Sequence, residues 1–358
     1  MSTMNNEIDG YDIDDDYSLG EYPLDTVLIR NENRTVFDVT RRIAKGGYIM
    51  DPDFQRDFIW DEEKQSKLIE SVLMRIPLPV FYLAENSSGK MVVVDGLQRL
   101  STFQRFCNDK LKLKLPKQPT LDGKKFSDLS PKLQNRIEDC NLILYLIDPK
   151  VPSQALLDIF DRVNSGEPLS RQQMRNCLFM GQGTRFLKEM ADGELFIKAT
   201  GKSIRTEKMR DREFVNRFCA FKILGYTEYR GNMDDFLERA LLELNAMTPS
   251  DVRKLGYEFE RSMANNITVF GKHAFRKHST LYSPRSVINA SIWDVMSVIL
   301  SDYPENYIEA ESENIRNIFY SLMGNYSFLD SVSLGTNQID KVRNRFIKAY
   351  DAFSEILL

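Results

Sequence analysis

The sequence predicts an α+β protein in which a mixed N-terminal domain is followed by an all-helical C-terminal domain. Nearly all strand patterns lie before residue 150, where short apolar or β-branched runs end at turn-forming residues. After about residue 175 the apolar residues recur at helical spacing. We therefore expect an acidic tail over residues 1–22, a mixed domain over 23–175 and a helical domain over 176–358.

Composition argues against several classes of protein. No apolar run approaches the length of a transmembrane helix and the N-terminus is acidic, so we expect a cytoplasmic protein without a secretory signal. The four cysteines show no zinc spacing, and we expect them to be reduced. The only two histidines are His273 and His278, which argues against a catalytic triad, a histidine-rich metal site or an HNH nuclease centre elsewhere.

The N-terminal 22 residues contain seven acids and no Lys or Arg, so removing them changes the net charge from −4 to +3. The acids are Glu7, Asp9, Asp12, Asp14, Asp15, Asp16 and Glu21. We expect disorder here because the segment has too little apolar surface to offset the entropy of ordering. Two roles stay open: a solvated tail, or a nucleic-acid mimic that folds back on a basic groove.

The mixed domain opens with a short amphipathic helix over Thr35–Ile43 and a short strand over Tyr48–Met50. Asp61 is then predicted to cap a helix that ends at Pro77. Its predicted core residues are Leu68, Ile69, Val72, Leu73 and Ile76. Leu78–Glu85 and Met91–Asp95 follow as the two strands of a hairpin.

The stretch VVVDGLQRLSTF, residues 92–103, is the centre of the predicted site. Its β-branched start ends a buried strand, Asp95 and Gly96 break that strand, and a helical pattern begins at Leu97. A strand that turns sharply into a helix presents free backbone N–H groups and a partial positive charge. The pattern therefore predicts an anion site, most simply a phosphate site.

Arg99 lies at the border of the apolar face of this helix, so its partial burial requires an anionic partner. The partner is either a phosphate, which we favour, or an internal acid such as Asp53 or Asp95. A further alternative is that Arg99 is simply solvated. Asp95 itself has two possible roles: it holds a Mg²⁺-bound water, or it caps the helix and orients Arg99.

Further along, a helix is predicted through Ile137, followed by a strand over Asn141–Ile147 and a helix over Ser153–Val163. Ser170 and Gln173 form a capping box for another helix. The helices predicted beyond it are Arg212–Leu224, Met233–Asn245, Ser250–Val269, Ser283–Ser301, Ile308–Met323 and Gln338–Leu357.

Three motifs occur in one order: DPDFQRDFIW, VVVDGLQRLSTF and IFDRVNSGEPLSRQQMRN. Together they resemble the N-terminal domain family of GmrSD-type restriction endonucleases, whose hallmark is a D-G-Q-Q-R motif after a strand. The resemblance covers about residues 24–225. It implies a ParB/sulfiredoxin-like fold and nucleoside-triphosphate binding, with hydrolysis in several members. It also implies a role in bacterial defence against phage DNA.

Each position of the family's motifs can be matched to a residue of this sequence. The residues that the resemblance implies for nucleotide binding are Gln55, Arg56, Asp95, Gly96, Gln98, Arg99 and Asn164. Asp95 and Gln98 are the catalytic candidates, Trp60 closes the first motif, and the expected cofactor is an NTP with Mg²⁺. Leu97 departs from the family, which has Gln there, and this puts hydrolysis in doubt. The chain also lacks the histidines of the HNH nuclease domain that many relatives carry, so a separate nuclease subunit is the expected partner.

Two later segments are basic. Residues 198–217 contain seven basic and three acidic residues, and residues 271–286 contain four Lys or Arg and no acid. The predicted DNA contacts are Lys202, Arg205, Lys208, Lys272, Arg276 and Lys277. The alternative is a solvated basic loop, and a pI near 5.6 counts against a strong general DNA binder.

The sequence thus predicts a nucleotide-binding, DNA-engaging defence protein, with NTP hydrolysis left open. The alternative is a non-enzymatic DNA-binding or protein-interaction module that has lost turnover. A nuclease acting alone is not expected, because no carboxylate cluster is recognisable in the sequence.

Overall fold

The computed structural model describes residues 8–9, 29–50, 60–85, 89–148, 150–151, 155–156, 159, 162, 170–354 and 356. Two compact units result. Residues 18–178 form the first, here called the sheet unit, and residues 179–358 together with Ile8 and Asp9 form the second, the helical unit. The predicted order, a mixed N-terminal domain followed by a helical one, is confirmed. The predicted disorder of the N-terminal segment is wrong for Ile8–Asp9, which form a short strand, β1.

The sheet unit contains a five-stranded mixed sheet. Its strands are β2 (Ile29–Thr35), β3 (Tyr48–Ile49), β4 (Phe81–Glu85), β5 (Met91–Asp95) and β6 (Asn141–Ile147). The spatial order is β2-β6-β4-β5-β3. The pairs β2/β6 and β4/β5 are antiparallel, and the pairs β4/β6 and β3/β5 are parallel. The predicted hairpin therefore lies in the interior of the sheet, where both its strands are paired on each side.

Strand β2 was not predicted, because its sequence IRNENRT has almost no apolar residue. It forms an edge of the sheet, and Arg30 and Arg34 make ion pairs with Glu32 at 3.5 and 2.5 Å. This charged edge strand is held by backbone pairing with β6, and none of its side chains is fully buried. The periodicity of apolar residues therefore does not predict such a strand.

Five α-helices lie within the described residues of the sheet unit. They are α1 (Val36–Ala44), α2 (Glu62–Leu73), α3 (Leu97–Cys107), α4 (Pro131–Glu138) and α5 (Arg171–Leu178). Asp61 caps α2 as predicted by accepting from the Lys64 N–H at 2.7 Å. The predicted end of α2 and the predicted burial of Ile76 are wrong. The helix ends at Leu73, and Ile76 is 47% exposed. The turn after α2 requires Arg75 at a φ of 61°, so Ile76 leaves the helical face before Pro77.

The helices of the helical unit enclose a hydrophobic core that contains the fully buried Trp293. They are α6 (Gln182–Ala191), α7 (Glu194–Thr200), α8 (Arg210–Ile223), α9 (Met233–Ala246), α10 (Pro249–Phe270), α11 (Ala290–Ile299), α12 (Glu305–Ala310), α13 (Ser312–Gly324), α14 (Tyr326–Ser331) and α15 (Ile339–Phe353). The helix predicted over Ser283–Ser301 is shorter, because β7 (Ile288–Asn289) precedes α11 and pairs in parallel with β1. Across the described residues, no helix is long and apolar enough to cross a membrane.

Candidate functional site

The junction between β5 and α3 has the geometry that the sequence predicts. Strand β5 ends at Asp95, Gly96 adopts φ 100° and ψ 9°, and α3 begins at Leu97. A Cβ atom at Gly96 would lie 2.3 Å from Cδ1 of the buried Phe81. Only glycine combines this φ with this close approach. The glycine is therefore required by the fold itself, whether or not a ligand binds.

The first turn of α3 has free backbone donors. The first helical bond runs from the Leu100 N–H to the Gly96 carbonyl at 2.9 Å. Within the described ranges, the N–H groups of Leu97, Gln98 and Arg99 have no acceptor, and no side chain caps the helix. The N-cap residue is Gly96, so the interpretation of Asp95 as a helix cap is wrong. This end of α3 is a positive pole with unused donors.

Arg99 has a structural partner, contrary to the interpretation that we favoured from the sequence. Its Nη2 lies 2.6 Å from Oδ2 of Asp95 and also donates to the Val80 carbonyl at 3.1 Å. Nη1 donates to the Pro79 carbonyl at 2.5 Å, and the guanidinium carbon lies 4.2 Å above the Phe81 ring centroid. Only 9% of the residue is exposed. The second alternative, in which Asp95 orients Arg99, describes this geometry.

The Arg99–Asp95 pair is partly desolvated. Burial raises the pKa of Asp95, while the charge of Arg99 opposes that shift. Burial likewise lowers the pKa of Arg99, and Asp95 opposes that change. A carboxylate held this way is engaged in an ion pair rather than free to bind a metal-bound water. In the described part of the chain, no group of three or more His, Cys, Asp or Glu side chains is placed to hold a metal ion.

Gln98 connects the first and central motifs. Its Oε1 accepts from the backbone N–H of Trp60 at 3.1 Å, and the Trp60 carbonyl accepts from Nε2 of Gln65 at 2.5 Å. Arg105, two turns along α3, donates to Oε1 of Gln65 at 2.8 Å. These bonds fix the closing residue of the first motif against the start of α3. Among the described residues Nε2 of Gln98 has no partner, so it remains a donor beside the free N–H groups.

Three further predicted nucleotide contacts, Gln55 and Arg56 of the first motif and Asn164 of the third, lie outside the described residues. The capping box within the third motif is confirmed. Gln173 Oε1 accepts from the Ser170 N–H at 2.8 Å, and Ser170 Oγ accepts from the Gln173 N–H at 3.2 Å.

In the helical unit, the structure joins the two basic segments. Nη2 of Arg276 donates to the Thr200 carbonyl at 2.7 Å and to Oγ of Ser203 at 2.8 Å. Nη2 of Arg285 donates to the same two oxygens at 3.2 Å and to the Gly201 carbonyl at 3.3 Å. Two arginines of the second segment thus hold the loop of the first segment. We name residues 201–208, 272 and 281–285 the basic face.

Two of the six predicted DNA contacts are corrected. Arg276 is only 1% exposed and holds the fold together, so it cannot contact DNA. Burial, and then the nearby charge of Arg285, lower its pKa to about 10. Lys277 is engaged by Asp9 at 2.8 Å and by Oγ of Ser333 at 2.9 Å. Sequence reasoning missed both the partner Asp9 and the bridging role of Arg285, because neither contact is local in the chain.

The remaining predicted contacts are at the surface. Lys202, Arg205, Lys208 and Lys272 are all exposed. Tyr282, which interrupts the basic segment, is 96% exposed. A cationic surface that carries a free aromatic ring is suited to a nucleic-acid backbone and its bases.

Both histidines are core residues rather than members of this surface. His273 and His278 stack with ring centroids 4.8 Å apart, and His278 also contacts Phe270 and Phe319. Nδ1 of His278 donates to the Arg276 carbonyl at 2.7 Å. Burial lowers the pKa of both rings, that of His278 to about 4. They are therefore neutral near pH 7.

Residues 36–180 match the family model described as GmrSD restriction endonuclease, N-terminal domain. The match contains the β5–α3 junction and all three motifs from which the resemblance was predicted. Comparisons with curated proteins and with solved structures give no match. The family match indicates a component of a restriction-like defence system.

Proposed function

Because residues 36–180 form a GmrSD restriction endonuclease N-terminal domain, we propose that the protein is a restriction-system component that binds a nucleoside triphosphate and engages DNA. The nucleotide is assigned to the β5–α3 junction. The observation that carries this assignment is the set of three N–H groups at the positive end of α3 that have no acceptor among the described residues. Oxygen anions are the ligands that such a helix end favours.

In this proposal a phosphate group lies over Gly96 and accepts from the N–H groups of Leu97 and Gln98. Nε2 of Gln98 adds a side-chain donor whose position is fixed through Trp60. Arg99 supports the junction from below and does not touch the ligand. Gln55, Arg56 and Asn164 remain proposed contacts; Arg56 is four positions before Trp60 in the sequence. Mg²⁺ would be held mainly by the phosphates and water, as is usual for nucleotide-bound magnesium.

We do not propose that the protein hydrolyses the bound nucleotide rapidly. Asp95 is occupied by Arg99 at 2.6 Å, and Leu97 stands where the family has Gln. The junction therefore has binding groups, but its carboxylate, Asp95, is paired with Arg99 rather than free to activate a water. These two observations favour a nucleotide-binding module over a fast hydrolase.

DNA engagement is assigned to the basic face of the helical unit. About four phosphates could be neutralised by its exposed cations, and a contact of that size loses roughly a hundredfold in affinity between 50 and 200 mM salt. The chemistry is that of the DNA backbone, so we expect little sequence preference.

A thermal-shift screen against the four NTPs, each with and without Mg²⁺, tests nucleotide binding. A ligand at about 100 times its Kd stabilises the folded state by about 2.7 kcal/mol. We expect at least one NTP to raise Tm by roughly 5–10 °C, with little phosphate release in a parallel assay. No shift with any NTP would contradict the nucleotide proposal, and rapid release would contradict the absence of turnover.

Gel retardation of a duplex probe tests DNA engagement. The double variant Lys202→Glu/Lys272→Glu should abolish retardation at 50 mM salt. The matched control is Arg253→Glu/Lys254→Glu, which reverses two exposed charges at the start of α10, whereas Lys272 follows its other end. A 22-residue helix spans about 33 Å, so the control lies roughly 25–30 Å along α10 from Lys272. If both double variants lose retardation equally, the loss is explained by the change in net charge and not by a contact at the basic face.

A further inference from the structure

Tyr282 lies at the tip of a tight turn in the helical unit. The Ser283 N–H donates to the Thr280 carbonyl at 3.2 Å, and the Thr280 N–H donates to Oγ of Ser283 at 3.2 Å. These two bonds close the turn, and Tyr282 is 96% exposed. A single exposed tyrosine is common on protein surfaces. What distinguishes Tyr282 is the way in which its loop is held and the charge that surrounds it.

Both sides of the loop that carries Tyr282 are tied to the fold. The carbonyl of Leu281, directly before Tyr282, accepts from Nε2 of the buried His273 at 3.1 Å. On the other side, Oγ of Ser286 donates to the Lys277 carbonyl at 2.8 Å and closes the loop. The aromatic ring is thus presented by a fixed backbone. A contact made through it costs little conformational entropy of the loop.

Exposed cations lie on both sides of Tyr282. Lys272 directly precedes the histidine that holds the loop. Nη2 of Arg285 donates to the carbonyl of Gly201, the residue before the exposed Lys202, at 3.3 Å. Tyr282 and Arg285 are three positions apart, so their Cα atoms are separated by at most about 11 Å. The ring therefore lies within a surface whose positive charges a phosphodiester chain can follow in both directions.

The form of DNA that fits such a surface is set by where the faces of the bases are accessible. An aromatic side chain stacks on a base face, and in a continuous duplex both faces of a base are covered by its neighbours. Inserting a side chain between base pairs requires that they be unstacked. In a single strand the faces are accessible, and stacking on an aromatic ring tolerates any sequence while nearby cations bind the phosphates.

We infer that Tyr282 stacks on an unpaired base, so that the basic face binds single-stranded DNA in preference to intact duplex. The inference rests on the proposed DNA engagement and names the form of DNA that is bound. Lys202, Lys272 and Arg285 neutralise phosphates on either side of the stacked base. Because Arg285 holds the loop that contains Lys202, the fold itself fixes the separation between the ring and these cations.

The first test compares single-stranded and duplex DNA by competition. A labelled oligothymidylate bound to the full chain at about 50 mM salt is displaced with unlabelled circular single-stranded DNA or with a relaxed, covalently closed duplex circle of the same sequence. Circles are used because the ends of a linear duplex expose base faces. We expect half-displacement by the single strand at a phosphate concentration roughly tenfold lower than by the duplex.

The second test assigns the preference to the ring of Tyr282. Tyr282→Ala should weaken binding of the oligothymidylate by roughly five- to a hundredfold and leave binding of the duplex circle nearly unchanged. Tyr282→Phe keeps the ring and loses only the hydroxyl, so it should bind like wild type. The matched control is Tyr257→Ala, which removes a tyrosine that is 71% exposed on α10 and should change neither affinity.

The third test detects stacking directly. A fluorescent purine analogue placed in the oligothymidylate is quenched when an aromatic ring stacks on it. We expect quenching on binding to wild type and to Tyr282→Phe, and much less quenching at saturation with Tyr282→Ala. Equal quenching by Tyr282→Ala and wild type would overturn the assignment of the stacked base to Tyr282.

The outcomes separate this inference from the proposed function. If wild type binds both circles equally and Tyr282→Ala has no effect, the inference is overturned while DNA engagement stands. If Tyr282→Phe is as weak as Tyr282→Ala, the contact is made by the hydroxyl and stacking is overturned. If wild type binds neither form of DNA, the inference and the proposed DNA engagement fail together. A single-strand preference that is lost in Tyr282→Ala and kept in Tyr282→Phe supports the inference.

Discussion

Arg99→Ala is the variant that most clearly separates a structural arginine from a ligand-binding one. In the structure the guanidinium pairs with Asp95 at 2.6 Å and donates to the carbonyls of Pro79 and Val80. Alanine leaves all three acceptors without their donor. We therefore expect the protein without ligand to lose stability, and its nucleotide affinity to change only through that loss.

The magnitude follows from the burial of the pair. Removing one partner of a buried ion pair costs about 3–5 kcal/mol, because the remaining charge is left uncompensated. The Asp95 side chain is 29% exposed, so solvent relieves part of this cost. We expect a loss of roughly 3 kcal/mol, which for a unit of this size corresponds to about 6–12 °C in Tm.

The assay is thermal or urea unfolding of the protein without ligand, followed by a double-mutant cycle with Asp95→Asn. The matched control is Arg105→Ala on the same helix, where a single bond of 2.8 Å to Gln65 is lost. Such a bond contributes about 1 kcal/mol. An Arg99→Ala protein with unchanged Tm and a nucleotide affinity at least tenfold weaker would refute the structural role.

Three further changes have definite expected results. Gly96→Ala should lower the free energy of unfolding, measured by chemical denaturation, by roughly 2–4 kcal/mol, because the residue has φ 100° and its new methyl group would lie 2.3 Å from Phe81. A decrease under about 0.5 kcal/mol would contradict this close packing. Asp294→Asn should cost about 3–5 kcal/mol, because the buried carboxylate pairs with Arg217 at 2.6 Å and Arg345 at 2.7 Å; a neutral effect would contradict this network. His278 has a pKa lowered by burial to about 4 in the folded state against 6.5 unfolded, so its contribution to stability is complete above pH 6.5 and is lost as the pH falls towards 4. The Tm difference between wild type and His278→Asn, which retains a donor for the Arg276 carbonyl, should therefore change between pH 7 and pH 5; parallel pH profiles would contradict it.

The local features of the fold were readable from the sequence because their causes are local. The strand–glycine–helix junction at Asp95–Leu97 follows from three β-branched residues, a turn pair and a helical period. The capping by Asp61 and the box of Ser170 and Gln173 also depend on neighbours within three residues. Such signals do not require knowledge of the rest of the chain.

The features that were missed depend on contacts distant in sequence. Strand β2 is polar and exists through its pairing with β6, more than 100 residues later. The partners of Lys277 include Asp9, 268 positions away, and Arg276 is buried by residues near Thr200. A run of basic residues in the sequence does not show which of them form contacts inside the fold. Counting charges therefore did not distinguish buried cations from exposed ones.

Arg99 shows the limit most clearly. Its place on the border of an apolar face correctly indicated burial against an anion, and both a phosphate and Asp95 satisfied that condition. The choice between them depended on the distance from α3 to Asp95 and on the carbonyls of residues 79–80, which the helical pattern does not contain. The family motif marked the position without distinguishing support of the site from contact with the ligand.

The central claim is that a phosphate binds at the start of α3 beside Gln98. Calorimetric titration of the preferred NTP with Mg²⁺ into Gln98→Glu tests it most directly. Glutamate retains an acceptor for the Trp60 N–H but replaces the Nε2 donor with a negative charge, whereas Gln104→Glu adds the same charge two turns along α3.

A donor to phosphate contributes about 1.5–3 kcal/mol, which is roughly ten- to a hundredfold in Kd. We predict that Gln98→Glu weakens nucleotide binding by at least tenfold with Tm unchanged in the absence of ligand, and that Gln104→Glu binds like wild type. Equal affinity of Gln98→Glu and wild type for the NTP would contradict the assignment of the nucleotide to this junction.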